Sequence, residues 1–198
     1  MNSVIAGERL AVPELESYRE QFQENRNEAR RLTEELSDEQ MNWRPAAGRW
    51  SIAECFAHLD LIGRLYRPVL TTAIAKARKD NRLARGPFRL GFIGRKFIGS
   101  MEPPPKLKVK TVASMLPGGL SAHTAAAVMD EFYVLGDTFT ALMKSAEGLD
   151  LRRVKVRSVA TPILRLGIGE WFASLAAHER RHIWQARQVL NAPGFPDA

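Results

Sequence analysis

The sequence predicts an all-α protein folded as a four-helix bundle, with a long basic crossover between the second and third helices. In four separate stretches, apolar residues recur at steps of three and four, the spacing of one face of a helix. Four such amphipathic helices can bury their apolar faces only against one another. Roughly forty residues rich in Gly, Pro and basic side chains separate the second stretch from the third. A link of that length allows these two helices to run parallel.

The first helix is predicted between Val12 and Ser37, where one polar residue, Asn25, interrupts an apolar face formed by Leu15, Tyr18, Phe22, Ala29, Leu32 and Leu36. The second begins at Ser51, because Ser51 as N-cap and Glu54 three residues later make a capping box. Pro68 predicts a kink or an early end of this helix. The single cysteine, Cys55, is expected to pack on its core face.

The third helix is predicted from near Ser121 to Gly148, and the fourth from about Gly169 to Asn191. Residues 103–114 and 152–162 alternate weakly in β-branched residues, so they are candidates for a short pair of strands. The length of 198 residues predicts one domain over 1–198, in which residues of approximately 80–120 form the crossover insertion. One cysteine excludes an intrachain disulfide, and no leader or membrane-spanning run is evident, so a cytoplasmic protein is expected.

The net charge of +7 is concentrated in the crossover. Residues 76–110 contain eleven Lys and Arg against two acidic residues. Such a segment can serve nucleic acid, a membrane surface or anionic small molecules. Its aromatic residues Phe88, Phe92 and Phe97 could stack on bases, dip into a membrane or hold the crossover on the bundle. We expect the last of these, and therefore neither a nucleic-acid nor a membrane partner.

Three of the four histidines are candidate metal ligands. His178 and His182 lie four residues apart on the apolar face of the fourth helix, and His58 lies at the border of the buried face of the second. His123 falls off the apolar face of the third helix. Three imidazoles from two helices suit Zn²⁺, Ni²⁺ or Fe²⁺ and leave a position for water or substrate. Hydrogen-bond partners for these rings could come from Asn25, Glu54, Glu179 or Gln185.

The string H-E-x-x-H at residues 178–182 also occurs in zinc proteases, where the glutamate is the catalytic base. A protease of that kind takes its third metal ligand downstream, but no histidine follows His182 and Asp197 is the only later carboxylate. Glu179 is about 100° round the helix from His178 and is expected to face solvent or a neighbouring helix. The pattern therefore favours a pair of histidines completed from upstream by His58.

Two segments of the chain resemble the DinB-like superfamily, also called the DinB/YfiT-like metalloenzymes. They are NWRPAAGRWSIAECFAHLD at 42–60 and AAHERRHIWQARQVL at 176–190. The matching positions are a Trp-x-Pro turn, a Trp-Ser helix start with Glu at its third position, a His-Leu pair one turn later, and paired histidines followed by Gln. In this chain they are Trp43, Pro45, Trp50, Ser51, Glu54, His58, Leu59, His178, His182 and Gln185.

The resemblance implies an up-down-down-up bundle that holds a divalent metal, usually zinc or nickel, through His58, His178 and His182. Members of known activity are mainly S-transferases that use a low-molecular-weight thiol, and some members are homodimers. We therefore expect a metal-dependent thiol S-transferase with a small-molecule substrate, and a homodimer stays open. Two alternatives remain: a hydrolase that uses metal-activated water, and a non-enzymatic stress-related protein that binds partners through the basic segment.

Overall fold

The computed structural model describes residues 9–105, 111, 115–116, 124–161 and 163–197. Within these residues the chain forms six helices and two short strands. They are α1 (Pro13–Thr33), α2 (Asp38–Asn42), α3 (Ile52–Lys79), α4 (Phe92–Met101), α5 (Ala125–Ser145), β1 (Lys155–Arg157), β2 (Arg165–Gly167) and α6 (Ile168–Leu190). The four long helices α1, α3, α5 and α6 form the bundle.

Helices α3 and α5 run parallel, as the long crossover allows. Near the start of α3, Phe56 packs edge-on against Phe132 of α5. At the end of α3, Arg78 donates a hydrogen bond to the Ser145 carbonyl at the end of α5. The crossover therefore returns the chain to the end of the bundle at which α3 began.

Helices α3 and α6 run antiparallel, because the early His58 packs near the late His182 while the later Tyr66 packs on the early Trp171. Helix α1 lies antiparallel to α5, because Phe22 packs against Phe139 while the later Arg30 lies over the ring of the earlier Tyr133. These directions give the up-down-down-up order, and the predicted fold class is confirmed.

The core of the bundle has two apolar clusters. One surrounds the fully buried Trp171 and Phe172 at the start of α6, and the other surrounds Phe56 of α3. Burial of aromatic side chains of this size dominates the stability of such a core. Asn25, the polar residue on the apolar face of α1, is only 4% exposed and donates to the Ala176 carbonyl and to Glu179.

Helix α3 is longer than predicted, because it continues through Pro68 to Lys79. The expected early end at Pro68 is therefore wrong. Proline removes one backbone donor and crowds the preceding turn. The residues beyond it compensate for that loss, since Leu70 is fully buried and Ile74 nearly so. The helix then ends at Lys79, with Asp80 as its C-cap, close to the beginning of the basic crossover.

The crossover contains a helix that periodicity alone did not predict, α4, which packs on α6. Gly94 makes this packing possible, since it faces the Glu170 side chain with no room for a Cβ atom. Phe97 packs against Trp171, and Arg180 of α6 pairs with Glu102 just after α4. The inner face of α4 is thereby attached to the bundle.

The strand prediction was right for one of its two segments, and the predicted pairing between the two segments stays a prediction. Strand β1 lies within residues 152–162, but it pairs antiparallel with β2, with Val156 opposite Leu166. Most of the other candidate segment, 103–114, lies outside the described residues. Among the helices that the structure describes, none has the length and apolar character needed to cross a membrane.

Candidate metal centre

The start of α3 is fixed by the predicted capping box, which positions His58 two turns later. The Ser51 hydroxyl accepts from the Glu54 backbone N–H at 3.1 Å, and the Glu54 carboxylate accepts from the Ser51 N–H at 2.9 Å. Arg44, in the preceding turn, forms an ion pair with the same carboxylate. Because these contacts set the first turn, they also set the direction in which the buried His58 points from the helix.

The structure brings together the three histidines predicted as ligands. His178 and His182 lie one turn apart on α6, with their Nε2 atoms 3.1 Å apart. The His58 ring centroid is 5.2 Å from that of His178 and 4.7 Å from that of His182. One nitrogen from each ring lies within 4.8 Å of the other two. The fourth histidine, His123, lies outside the described residues.

All three imidazoles are held in the neutral form. Burial lowers the pKa of His58, and it lowers the pKa of His178 to about 3 with a further contribution from nearby His58. Burial, followed by the two neighbouring rings, places the pKa of His182 well below its usual value. A neutral imidazole has a nitrogen lone pair available, which is the form that binds a metal ion.

The tautomer of His58 is set by the crossover. Its Nδ1 atom lies 2.7 Å from the carbonyl oxygen of Met115. A carbonyl can only accept, so Nδ1 carries the proton and donates it, and Nε2 keeps its lone pair. None of the four side chains proposed from the sequence partners His58; the partner is a backbone carbonyl, which has no sequence signature.

These residues fit a divalent metal ion. Two nitrogens bound tetrahedrally to one zinc ion lie about 3.3 Å apart, given zinc–nitrogen distances of about 2.0–2.1 Å. The separation of the His178 and His182 Nε2 atoms, 3.1 Å, is close to that value. A side-chain hydrogen bond with Gln185, one of the partners proposed from the sequence, partly offsets the lowering of the His182 pKa. Three neutral nitrogens from two helices thus form a compact donor set.

Trp50 covers the cluster on one side. Its ring stacks on His182 with centroids 5.6 Å apart and an interplanar angle of 22°, and it lies 5.1 Å from the His58 ring. Sequence reasoning did not assign Trp50 to the site. The signals that could have pointed to it are its match to the family pattern and its position immediately before the N-cap of α3.

A cavity of about 490 Å³ opens beside the histidines. Its lining is mostly apolar and aromatic, with a few hydroxyl groups, and Met115 and Phe97 of the crossover form part of its wall. Arg181 is the one charged side chain among the described lining residues, and it also donates to the Ser100 carbonyl of α4. The described lining contains no carboxylate. A cavity of this size suits a small-molecule substrate.

Glu179, the glutamate of the H-E-x-x-H string, is absent from the described lining of this cavity. It is buried against α1, and it accepts a hydrogen bond of 2.9 Å from Asn25. Burial raises its pKa to about 8, and the Asn25 hydrogen bond partly offsets this effect. Glu179 thus faces a neighbouring helix, α1, which is one of the two alternatives expected from the sequence. A protease role for this glutamate has no support.

Asp60 is a second buried acid, and the sequence pattern did not single it out. The residue is 2% exposed, and its Oδ1 atom has no hydrogen-bond partner among the residues that the structure describes. Burial raises its pKa to about 8, with Glu131 adding to the effect. It follows His58 by two residues on α3 and is absent from the described lining of the cavity.

Comparison with known proteins agrees with the geometry. The sequence pattern of the DinB superfamily matches residues 21–186. Among solved structures, YfiT from Bacillus subtilis has a similar fold, with a TM-score of 0.60 over 92% of this chain and 89% of that one, at 12% sequence identity. YfiT is described as a probable metal-dependent hydrolase with an unusual four-helix bundle topology. At this identity the likeness shows the fold alone. A comparison with curated proteins gives no match.

Proposed function

The chain belongs to the DinB superfamily, and on that premise we propose that it is a divalent-metal-dependent S-transferase acting on a small molecule. The observation that carries the proposal is the cluster of three neutral imidazoles beside a cavity of about 490 Å³ whose described lining has one cation and no carboxylate. We assign His58, His178 and His182 as the metal ligands, and zinc or nickel as the ion.

A divalent ion held by the three histidines would supply Lewis acidity that lowers the pKa of a thiol, or of water, toward neutrality. The residues of this chain orient the ligands and shield them from solvent. The Met115 carbonyl keeps the His58 Nε2 atom unprotonated, and the Trp50 ring shields His58 and His182 from solvent on one side.

A thiol nucleophile suits this cavity, because a low-molecular-weight thiol needs only to lose its proton, which passes to solvent. Its sulfur then forms a bond to the electrophilic carbon of the second substrate, and the leaving group departs with the bonding electrons. Arg181 is partly buried in the cavity wall, where its charge can attract a carboxylate of such a thiol. A glutamate positioned to act as a base for water is absent from the described lining.

The first test is metal content. Elemental analysis of the purified protein should find one zinc or nickel ion per chain, and His58→Ala should lose it. His123→Ala is the matched control, because it removes the one histidine outside the proposed set, and it should keep the metal. A wild-type protein without stoichiometric metal, or equal loss in both variants, would contradict the assignment.

The second test separates thiol transfer from other metal chemistry. Metal-loaded protein should bind at least one of mycothiol, bacillithiol and glutathione in calorimetric titrations, and Arg181→Gln should weaken binding by about tenfold or more, as expected for a charge-assisted contact. Failure of every thiol to bind metal-loaded protein would remove the transferase proposal while leaving the metal site intact.

A hydrolase is the second candidate, and the description of YfiT favours it. The same three histidines would serve, with water in place of the thiol as the nucleophile. A panel of esters and amides assayed without thiol decides between the two. Metal-dependent turnover of any ester or amide, absent in His58→Ala, would favour hydrolysis. A protein that conjugates thiols but turns over no member of the panel would exclude hydrolysis.

Three expectations from the sequence enter this proposal unchanged. We propose one domain over residues 1–198 with the crossover at approximately 80–120 as an insertion, a cytoplasmic location, and a homodimer as the assembly to test. Light scattering at several concentrations measures the last of these directly.

A further inference from the structure

Two large apolar side chains lie exposed next to each other at the start of α4. Phe92 is 68% exposed and Ile93 is 64% exposed. The neighbouring aromatics behave differently, because Phe88 and Phe97 are partly buried and pack on the core. Isolated exposed apolar residues are ordinary on protein surfaces, whereas an adjacent pair of this size calls for an explanation.

The docking of α4 forces this exposure. Gly94 lies against Glu170, and the Gly91 backbone N–H donates to the same carboxylate at 2.8 Å. With Gly94 facing the bundle, Phe92 projects from the opposite side of the helix, about 160° away by helical geometry. Lys96 lies one turn further along this outer side, with its Nζ atom 5.8 Å from the centre of the Phe92 ring.

Four cations surround the pair in the chain: Arg85, Arg89, Arg95 and Lys96 are all exposed. Within the part of the chain that the structure describes, none of these four forms an ion pair with a carboxylate. The outer face of α4 and the segment leading into it therefore combine apolar contact area with uncompensated positive charge. A partner that fits must offer an apolar layer and negative charge together.

Two other occupants fit less well. A second copy related by a two-fold axis would place the same four cations against each other, and like charges facing each other oppose association. A nucleic acid offers the charge, but Ile93 has no aromatic face on which a base could stack. The surface of a bilayer with anionic lipids offers both features, because acyl chains accept Phe92 and Ile93 while headgroups face the cations.

We propose that the outer face of α4 is a docking surface for a lipid bilayer containing anionic lipids. Phe92 and Ile93 enter the boundary between headgroups and acyl chains, and Arg89, Arg95 and Lys96 lie at the level of the headgroups. This inference goes beyond the proposed activity and does not depend on it. It reverses the expectation from the sequence that the protein has no membrane partner, because Phe92 is exposed and does not hold the crossover on the bundle. The inner side of the same short helix lines the cavity through Phe97, so a docked bilayer would lie roughly one helix diameter, about 10 Å, from the cavity wall.

The test uses the full chain and vesicles of phosphatidylcholine, with and without phosphatidylserine, in a sedimentation assay. The protein should bind only the vesicles that contain phosphatidylserine, and added salt should weaken binding. The double variant Phe92→Ser/Ile93→Ser should bind about tenfold more weakly or worse, because it removes the inserted apolar area. Arg95→Gln/Lys96→Gln should reduce binding by about fivefold for each charge removed. These four side chains lie outside the proposed metal centre.

Val134→Ser is the matched control, since Val134 of α5 is exposed to a similar extent, 62%, and lies outside the patch. It should bind vesicles as the wild type does. The proposal is overturned if the wild type ignores anionic vesicles, if it binds both kinds of vesicle equally, or if the Phe92→Ser/Ile93→Ser variant binds as well as the control. Duplex DNA that displaces the protein from vesicles, and binds that double variant undiminished, would assign the surface to nucleic acid instead.

Discussion

Replacing Gly94 by alanine should loosen the packing of α4 on the bundle. An ideal Cβ atom at this position would lie 2.3 Å from Oε1 of Glu170 and 2.7 Å from its Cδ atom. The carboxylate cannot easily yield, because Glu170 is 5% exposed and accepts from two backbone donors, Gly167 N–H at 2.7 Å and Gly91 N–H at 2.8 Å. Moving it aside breaks at least one of these hydrogen bonds.

The size of the effect follows from two opposing contributions. Loss of one buried hydrogen bond to a charged group destabilises a protein by about 1.5–3 kcal/mol. Alanine in place of glycine inside a helix stabilises by about 1 kcal/mol. Gly94→Ala should therefore lower the free energy of unfolding by roughly 0.5–2 kcal/mol. The control Gly99→Ala, in the same helix, meets nothing within 4 Å and should instead raise it by up to about 1 kcal/mol.

Thermal unfolding measures the difference between the two variants. For a chain of this size each kcal/mol shifts Tm by about 2–4 °C, so Gly94→Ala should unfold several degrees below Gly99→Ala. Hydrogen exchange should show the loss concentrated in the α4 amides. In a Glu170→Ala background the obstacle is gone, and Gly94→Ala should then stabilise. Equal Tm values for the two glycine variants, or the same penalty in both backgrounds, would refute the reasoning.

Four further predictions concern the core and the site. Asn25→Ala should destabilise the protein by about 2–4 kcal/mol in urea titrations, because it leaves the buried Glu179 without its donor. The pKa of Glu16 is lowered from its ordinary value of 4.5 to about 2, mainly by the hydrogen bond from Arg19. The ionised carboxylate therefore stabilises the fold fully above pH 4.5, and this stabilisation disappears as the pH falls toward 2. Wild type and Glu16→Gln should accordingly converge in stability in acid. Burial raises the pKa of the Cys55 thiol, so this thiol should react with Ellman's reagent only after unfolding. Chelation of the metal should lower Tm, since an ion present at a hundredfold excess over its Kd stabilises by about 2.7 kcal/mol.

The helices of the bundle were predictable because their cores repeat with helical period. The fourth helix, expected from about Gly169 to Asn191, runs from Ile168 to Leu190. At Pro68 a local rule predicted a kink or an early end of the helix, and the early end was wrong, because burial of Leu70 in the tertiary structure stabilises the helix beyond the proline. Local propensity cannot register such burial, because the partner residues are distant in the chain.

The proximity of the three histidines was predictable for a similar reason. Spacing places His178 and His182 on one face of a helix. Of the two remaining histidines, only His58 is predicted to lie at a buried face. Their surroundings were not predictable. The Met115 carbonyl that orients His58 and the Trp50 ring that stacks on His182 reach the site only through the tertiary fold. The pattern also could not separate Phe92, which is exposed, from Phe88 and Phe97, which are partly buried.

The crossover changes what the bundle can do. The bundle alone would bring three imidazoles together, because His58 lies on α3 and His178 and His182 lie on α6, which are two of its four long helices. The crossover adds the hydrogen bond that sets the His58 tautomer, part of the cavity wall through Phe97, and the exposed pair at Phe92 and Ile93. A change that loosens α4 should therefore affect substrate binding while the nitrogen donor set, carried by α3 and α6, persists. Metal content that survives in Gly94→Ala while ligand affinity falls would be the expected sign of this division between bundle and crossover.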